Sequence, residues 1–239
     1  MADAASTPES KDLLMAQGAH EIRNPAAVIL GYVPMLLGER LGSLNDSQRK
    51  IVGEIGKSAA KLAELAREMS FLARLMEEGH RFQRVPVELG ALIAAEIPAV
   101  APALEREVAI RLIDQSTAVT LHGDPGKLRE AFNSLMYNHR RELVTSDELC
   151  VAIDRIAGAH PAAVRVTIGG TDRVDELRRL PESELEPLVE FRSGLGYRLS
   201  IARKVIEAHG GRIFSKTEPG GSPHASPTIL GAVMFLPAS

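Results

Sequence analysis

Between residues 13 and 79 apolar side chains recur at alternating spacings of three and four, the period of a helix. Ile22, Ala26, Ile29, Val33 and Leu36 form one such row. After the polar stretch LGSLNDSQ, a second row runs through Ile51, Ile55, Ser58, Leu62, Leu65, Met69, Leu72 and Met76. That is a heptad-like repeat. Gly42 supplies a turn, and Asn45 or Asp46 an N-cap. The pattern predicts an antiparallel helical hairpin over 13–79, each arm roughly 40 Å long at ~1.5 Å per residue. A lone hairpin cannot bury apolar rows on both arms. Two hairpins can form a four-helix bundle, so a homodimer is expected. The alternative is that the rows pack on the C-terminal half of the same chain.

From residue 86 to 239 the pattern changes. VELGALIAAEIPAVAPALERE reads as a helix broken at Pro98 and Pro102, and VAIRLI as a strand. DPGKLREAFNSLMYNHRREL is a helix with Asp124 as N-cap and Pro125 at its first position. LCVAIDRIA and AAVRVTI alternate as a strand hairpin. SIARKVIEAHGG is a helix stopped at Gly210 or Gly211. GRIFSKTE and ILGAVMFLP close a mostly antiparallel sheet. The expected class is α+β: a helical hairpin that dimerises, then an α/β sandwich. Residues 1–12 are polar and expected to be disordered, and 77–86 form the junction.

Composition narrows the possible partners. The 239 residues carry a net charge of −3, with no basic excess to suggest nucleic acid. No apolar run approaches the ~20 residues of a membrane span. The first residues lack the basic and apolar regions of a signal peptide. A cytoplasmic location is the expectation. Cys150 is the only cysteine, so an internal disulfide is excluded, and a buried apolar role in a strand fits it best.

One short stretch carries candidate chemistry. His20 lies about 200° around the helix from Ile22, away from the apolar row. Asn24, four residues on, shares its face, and Glu21 is adjacent. An imidazole that hands one N–H to a carboxylate has a more nucleophilic second nitrogen. Pro25 removes the hydrogen bond to the Glu21 carbonyl and is expected to kink the helix there.

HEIRNPAAVILGY resembles the phospho-accepting box of sensor histidine kinases, a His-Glu-x-x-Asn-Pro run that opens a dimerising hairpin. The resemblance implies that His20 carries a phosphoryl group and that Glu21 assists as general base. It also implies that Asn24 positions water for dephosphorylation of a partner. That partner would be the receiver domain of a response regulator.

The second half resembles the ATP-binding domain of the same family, with departures. Asn138 fills the position of the asparagine that holds the magnesium of Mg-ATP. Ser134 replaces an earlier Asn of that motif, His139 follows where Ala is usual, and Arg141 can stand in for a basic residue. The family then has a strand ending in Asp-x-Gly-x-Gly, whose Asp accepts the adenine amine. Here Ile168 stands at the Asp, Gly170 matches the first Gly, and Asp172 replaces the second. Losing such a charge-assisted hydrogen bond costs about 1.5–3 kcal/mol, roughly 10- to 150-fold in affinity. The mobile lid is nearly absent. In the second glycine motif Gly194 and Gly196 match, Arg198 replaces the third Gly, and Leu199 matches the Leu. The expected nucleotide site is therefore degenerate, with Mg-ATP binding weak.

Three readings follow. The first is a histidine phosphotransfer protein that exchanges phosphate with receiver aspartates through His20. The second is an ATP-dependent histidine kinase with a divergent pocket. The third is a pseudokinase or phosphatase scaffold.

Overall fold

The computed structural model describes residues 8–77, 81–102, 107–114, 119–143, 146–156, 158, 162–188, 196–218 and 228–238, with side chains from residue 13 onward. The chain divides into two compact units, Met1–His80 and Arg81–Ser239.

The first unit is a hairpin of α1 (Pro8–Leu37) and α2 (Asp46–Met76). Asn45 caps α2: its side chain accepts from the Gln48 N–H, and the Gln48 side chain accepts from the Asn45 N–H. Glu39 and Gly42 turn the chain with positive φ. α1 starts at Pro8, inside the 1–12 segment expected to be disordered, and residues 1–7 lie outside the described ones. The helix also runs on through Pro25 and Pro34.

The seam that closes the hairpin keeps Ala26, Val33 and Leu72 of the expected rows and is completed by small residues outside them. Ala19, Ala26 and Val33 are buried on α1, and Ala59, Ala66 and Ala73 on α2, each set at seven-residue intervals. Small side chains let the helices approach. A Cβ on Gly56 would meet Val33 Cγ1 at 2.8 Å. At the far end Arg23 Nη2 donates to Ser70 Oγ at 2.9 Å. Of the larger residues in the expected rows, Ile51, Ile55 and Leu62 stay 46–59% exposed, and Ile22 and Ile29 are also exposed. The hairpin thus has two faces, one of small residues packed within it and one of large apolar residues left open.

The second unit holds α3 (Leu89–Glu96), α4 (Pro125–Glu142), α5 (Val174–Leu177) and α6 (Arg198–Ala208). The helix before Pro98 ends in a single 3₁₀ turn at Ile97–Ala99. Among the short strands absent from the sequence reading, β1 (Val85–Glu88) and β3 (Thr120–Gly123) pair antiparallel. The main sheet joins β2 (Ala109–Asp114), β4 (Glu148–Ile156), β5 (Ala163–Gly170), β6 (Glu186–Pro187), β7 (Arg212–Glu218) and β8 (Thr228–Pro237). Its order is β2-β4-β5-β8-β7-β6. Only the β2–β4 pair is parallel.

The faces of β5 decide what each residue can touch. Arg165 donates to the carbonyls of Leu177 and Leu180, and a Cβ on Gly169 would meet Leu177 at 2.8 Å. The odd residues therefore face α5. Val164, Val166, Ile168 and Gly170 face the other way, where a Cβ on Gly170 would meet Leu143 just past α4.

Candidate functional site

On α1, His20, Glu21 and Asn24 are all exposed. Their exposure follows from the buried row: Ala19 and Ala26 turn inward, which rolls His20 and Asn24 toward solvent. The Arg23–Ser70 bond ties this turn of α1 to α2. Among the described residues no hydrogen bond links the His20 ring to Glu21, although their adjacency allows one. Pro25 has no N–H to give the Glu21 carbonyl, yet the helix is not ended there.

On α4, Asp124 caps the first turn by accepting from the Gly126 and Lys127 N–H groups, with Pro125 at the first position. Asn138 is buried one turn before the end. Its Nδ2 donates to the Ser134 carbonyl at 2.6 Å, and its Oδ1 is buried with no partner. An orphaned buried amide oxygen suits a hard cation. Beside it, Tyr137 lies under the guanidinium of Arg198, 4.5 Å from the ring centre, with that of Arg141 at 5.5 Å. Arg198 opens α6, and Gly196 just before it has φ 62°. Gly194 lies outside the described residues.

The adenine end is closed. Ile168 is fully buried between Val151 and Ala232 in the sheet. It faces the α4 side, where an adenine amine would need an acceptor and finds a hydrocarbon. The segment after Gly170 forms α5, whose Val174 packs with Cys150 and Ala152 on the opposite face. Among the described residues of the resemblance, Asn138 fits Mg-ATP, whereas Ile168 offers no acceptor and Arg198 stands where a glycine is expected. Sequence reasoning did not single out Tyr137, because nothing in the chain pairs it with a residue 61 positions away.

Residues 10–78 match the model of the His Kinase A (phospho-acceptor) domain. The chain thus carries a phospho-acceptor domain and is similar to sensor histidine kinases over most of its length. It is 29% identical over 213 residues to the phosphate regulon sensor protein PhoR of Pseudomonas aeruginosa, covering 86% of this chain and 47% of that protein. It is 25% identical to the signal transduction histidine-protein kinase BaeS of Escherichia coli, covering 87% and 44%. The chain thus spans less than half the length of these relatives. Among solved structures, full-length ShkA in complex with AMPPNP superposes with a TM-score of 0.66 at 21% identity, covering 95% of this chain and 46% of that one. Histidine kinase ThkA in complex with the response regulator TrrA gives 0.54 at 17% identity, covering 95% and 61%. These structural likenesses bear on the fold. Among the described residues, no helix is long and apolar enough to cross a membrane.

Proposed function

We propose that the chain exchanges a phosphoryl group between His20 and the aspartate of a response-regulator receiver domain. The observation that carries the reading is a contrast. His20, Glu21 and Asn24 stand exposed together on α1, while Ile168 and Arg198 stand at positions where the resemblance expects an acceptor and a glycine. The His20 Nε2 lone pair attacks the phosphorus of the aspartyl phosphate. The P–N bond forms as the P–O bond to the aspartyl carboxylate breaks, releasing the carboxylate. Glu21 takes the Nδ1 proton from the resulting imidazolium. A metal held by the receiver would neutralise the phosphoryl charge, and the transfer would then need no ATP.

The reading rests on two identical chains forming a four-helix bundle through the open apolar face of the hairpin. Ile29, Ile51, Ile55, Ala59 and Leu62 line one concave patch there. The complex of ThkA with its response regulator supports a receiver as the partner.

Asn138 favours a second reading, an ATP-dependent histidine kinase, because its orphaned Oδ1 is what a magnesium ion would use. The test is to incubate the chain with γ-labelled ATP and, separately, with labelled phosphorylated receivers, and to score label on His20. Label from receivers only supports phosphotransfer. Label from ATP supports the kinase. Equal label on a His20→Ala variant overturns both.

A further inference from the structure

The first described residues of the second unit are held down by one histidine. His209, at the end of α6, is 4% exposed. Its Nδ1 lies 2.7 Å from the Val205 carbonyl, and its Nε2 accepts the Asp124 N–H at 2.9 Å. A nitrogen that accepts from an amide carries no proton, so the ring is the neutral tautomer with hydrogen on Nδ1. Around this ring the junction is tied at three points. The Phe82 ring meets it edge-on, 5.3 Å between centres. The Gln83 N–H donates to the Asp124 carboxylate at 3.1 Å. Arg84 donates to the Ala208 carbonyl, next to His209. Gly123 leaves room for the ring: a Cβ there would lie 2.8 Å from His209 Cδ2.

We propose that neutral His209 is a pH-sensitive latch that clamps residues 82–84 onto the second unit, and that its protonation releases them. Protonated Nε2 is a donor facing a donor, so the bond from Asp124 is lost. The charged groups that face the ring are Arg84 from the junction and Asp124 from the start of α4, and Gly123 of β3 lies against its Cδ2. Burial, joined by the nearby Arg84 charge, lowers the affinity of the ring for a proton, against the Val205 carbonyl and Asp124, which raise it. The latch is therefore closed at neutral pH. Its contribution to stability is complete above the unfolded imidazole pKa of about 6.5 and is lost as pH falls toward the lower folded value. Releasing 82–84 frees three residues, up to about 10 Å of added tether at ~3.3–3.6 Å per residue. This does not depend on how His20 is phosphorylated.

The test uses the full chain. Amide exchange of Gln83 and Asp124, corrected for the intrinsic pH effect, is followed from pH 7.5 to 5.0 beside the ¹⁵N imidazole signals of His209. We expect the Nδ1–H tautomer at pH 7.5 and exchange at both amides rising at least about tenfold with the same midpoint as the imidazole titration. A His209→Gln variant should lose that pH dependence. The proposal is overturned if His209 titrates while both amides stay protected. It is equally overturned if the ring stays neutral until the whole unit unfolds, or if the pH dependence persists in His209→Gln. Should that variant not fold, the wild-type titration decides alone.

Discussion

The guanidinium of Arg198 covers the ring of Tyr137, 4.5 Å from its centre, one residue before the buried Asn138. A cation from α6 is thus stacked on α4 where a third glycine would have left the helix end open to phosphates.

ATP should bind weakly or not at all. Calorimetry on the wild-type chain should give no saturation at low micromolar ATP with magnesium; a low micromolar dissociation constant would contradict this. Arg198→Gly combined with Ile168→Asp should raise affinity by roughly 10- to 150-fold, the value of one charge-assisted hydrogen bond. Without nucleotide the double variant should melt at a lower temperature, because a carboxylate replaces a fully buried isoleucine. Magnesium and ATP should recover part of that loss.

The open face of the hairpin should hold two chains together. Light scattering at micromolar concentration should give twice the chain mass of 25.8 kDa. Ile55→Glu with Leu62→Glu should give monomers that keep their helical circular dichroism. Both side chains are 46–47% exposed in the single chain, and each contributes ~1.5–3 kcal/mol when buried. A monomeric wild type would remove the bundle from the proposed function.

Gly56 should resist the substitution that usually stabilises a helix. Gly→Ala in a helix interior is ordinarily favourable by about 0.5–1 kcal/mol. Here the new methyl would lie 2.8 Å from Val33 Cγ1, and overpacking costs about 1–3 kcal/mol. Thermal melts should show Gly56→Ala destabilised, with Val33→Ala in the same chain restoring much of the loss.

The hairpin, α4, α6 and the strands β2, β4, β5, β7 and β8 were legible because their patterns are local. Asn45 and Asp124 sit at caps that sequence alone can place, and β4, β5, β7 and β8 fall on alternating stretches. The packing face of the hairpin was misread in part, for a physical reason. Large apolar residues catch the eye, yet Ala19, Ala59, Ala66 and Ala73 do much of the close packing, and Ile51, Ile55 and Leu62 wait outside. β1 and β3 are four residues each, too short for a period to show. His20, Glu21 and Asn24 were found from a motif. The Tyr137–Arg198 stack and the ring of partners around His209 depend on tertiary contacts, which no spacing reveals.

Asp124 should matter at both ends of its hydrogen bonds. Burial works to raise its carboxyl, but N–H donors from Lys127, Gln83 and Gly126 outweigh it and hold the group below its ordinary range. Its contribution is therefore present above the unfolded value of about 3.9 and lost as pH falls through the folded one. Asp124→Ala should cost about 0.5–2 kcal/mol from the cap alone. Urea melts at pH 7 and pH 3 should show the gap between wild type and variant shrinking in acid. A gap unchanged between the two would mean that the cap carries no charge-dependent stability.

The last expectation concerns the transfer itself. His20→Ala should abolish phosphate uptake from a labelled receiver while leaving dimer and melting temperature unchanged, since the side chain is exposed. Glu21→Gln should slow transfer by about 10²–10⁴-fold, the range for a lost general base. Docking is expected beside Ala27 and Gly31, both exposed on α1 below His20. A Cβ on Gly31 would meet nothing within 4 Å, so Gly31→Leu is tolerated by the hairpin but crowds an incoming receiver helix. It should weaken receiver binding and slow transfer at low receiver concentration, with the rate recovering at saturation. A rate unchanged at every concentration would place the docking surface elsewhere. A rate reduced equally at every concentration would mean that Gly31 acts on the transfer step instead.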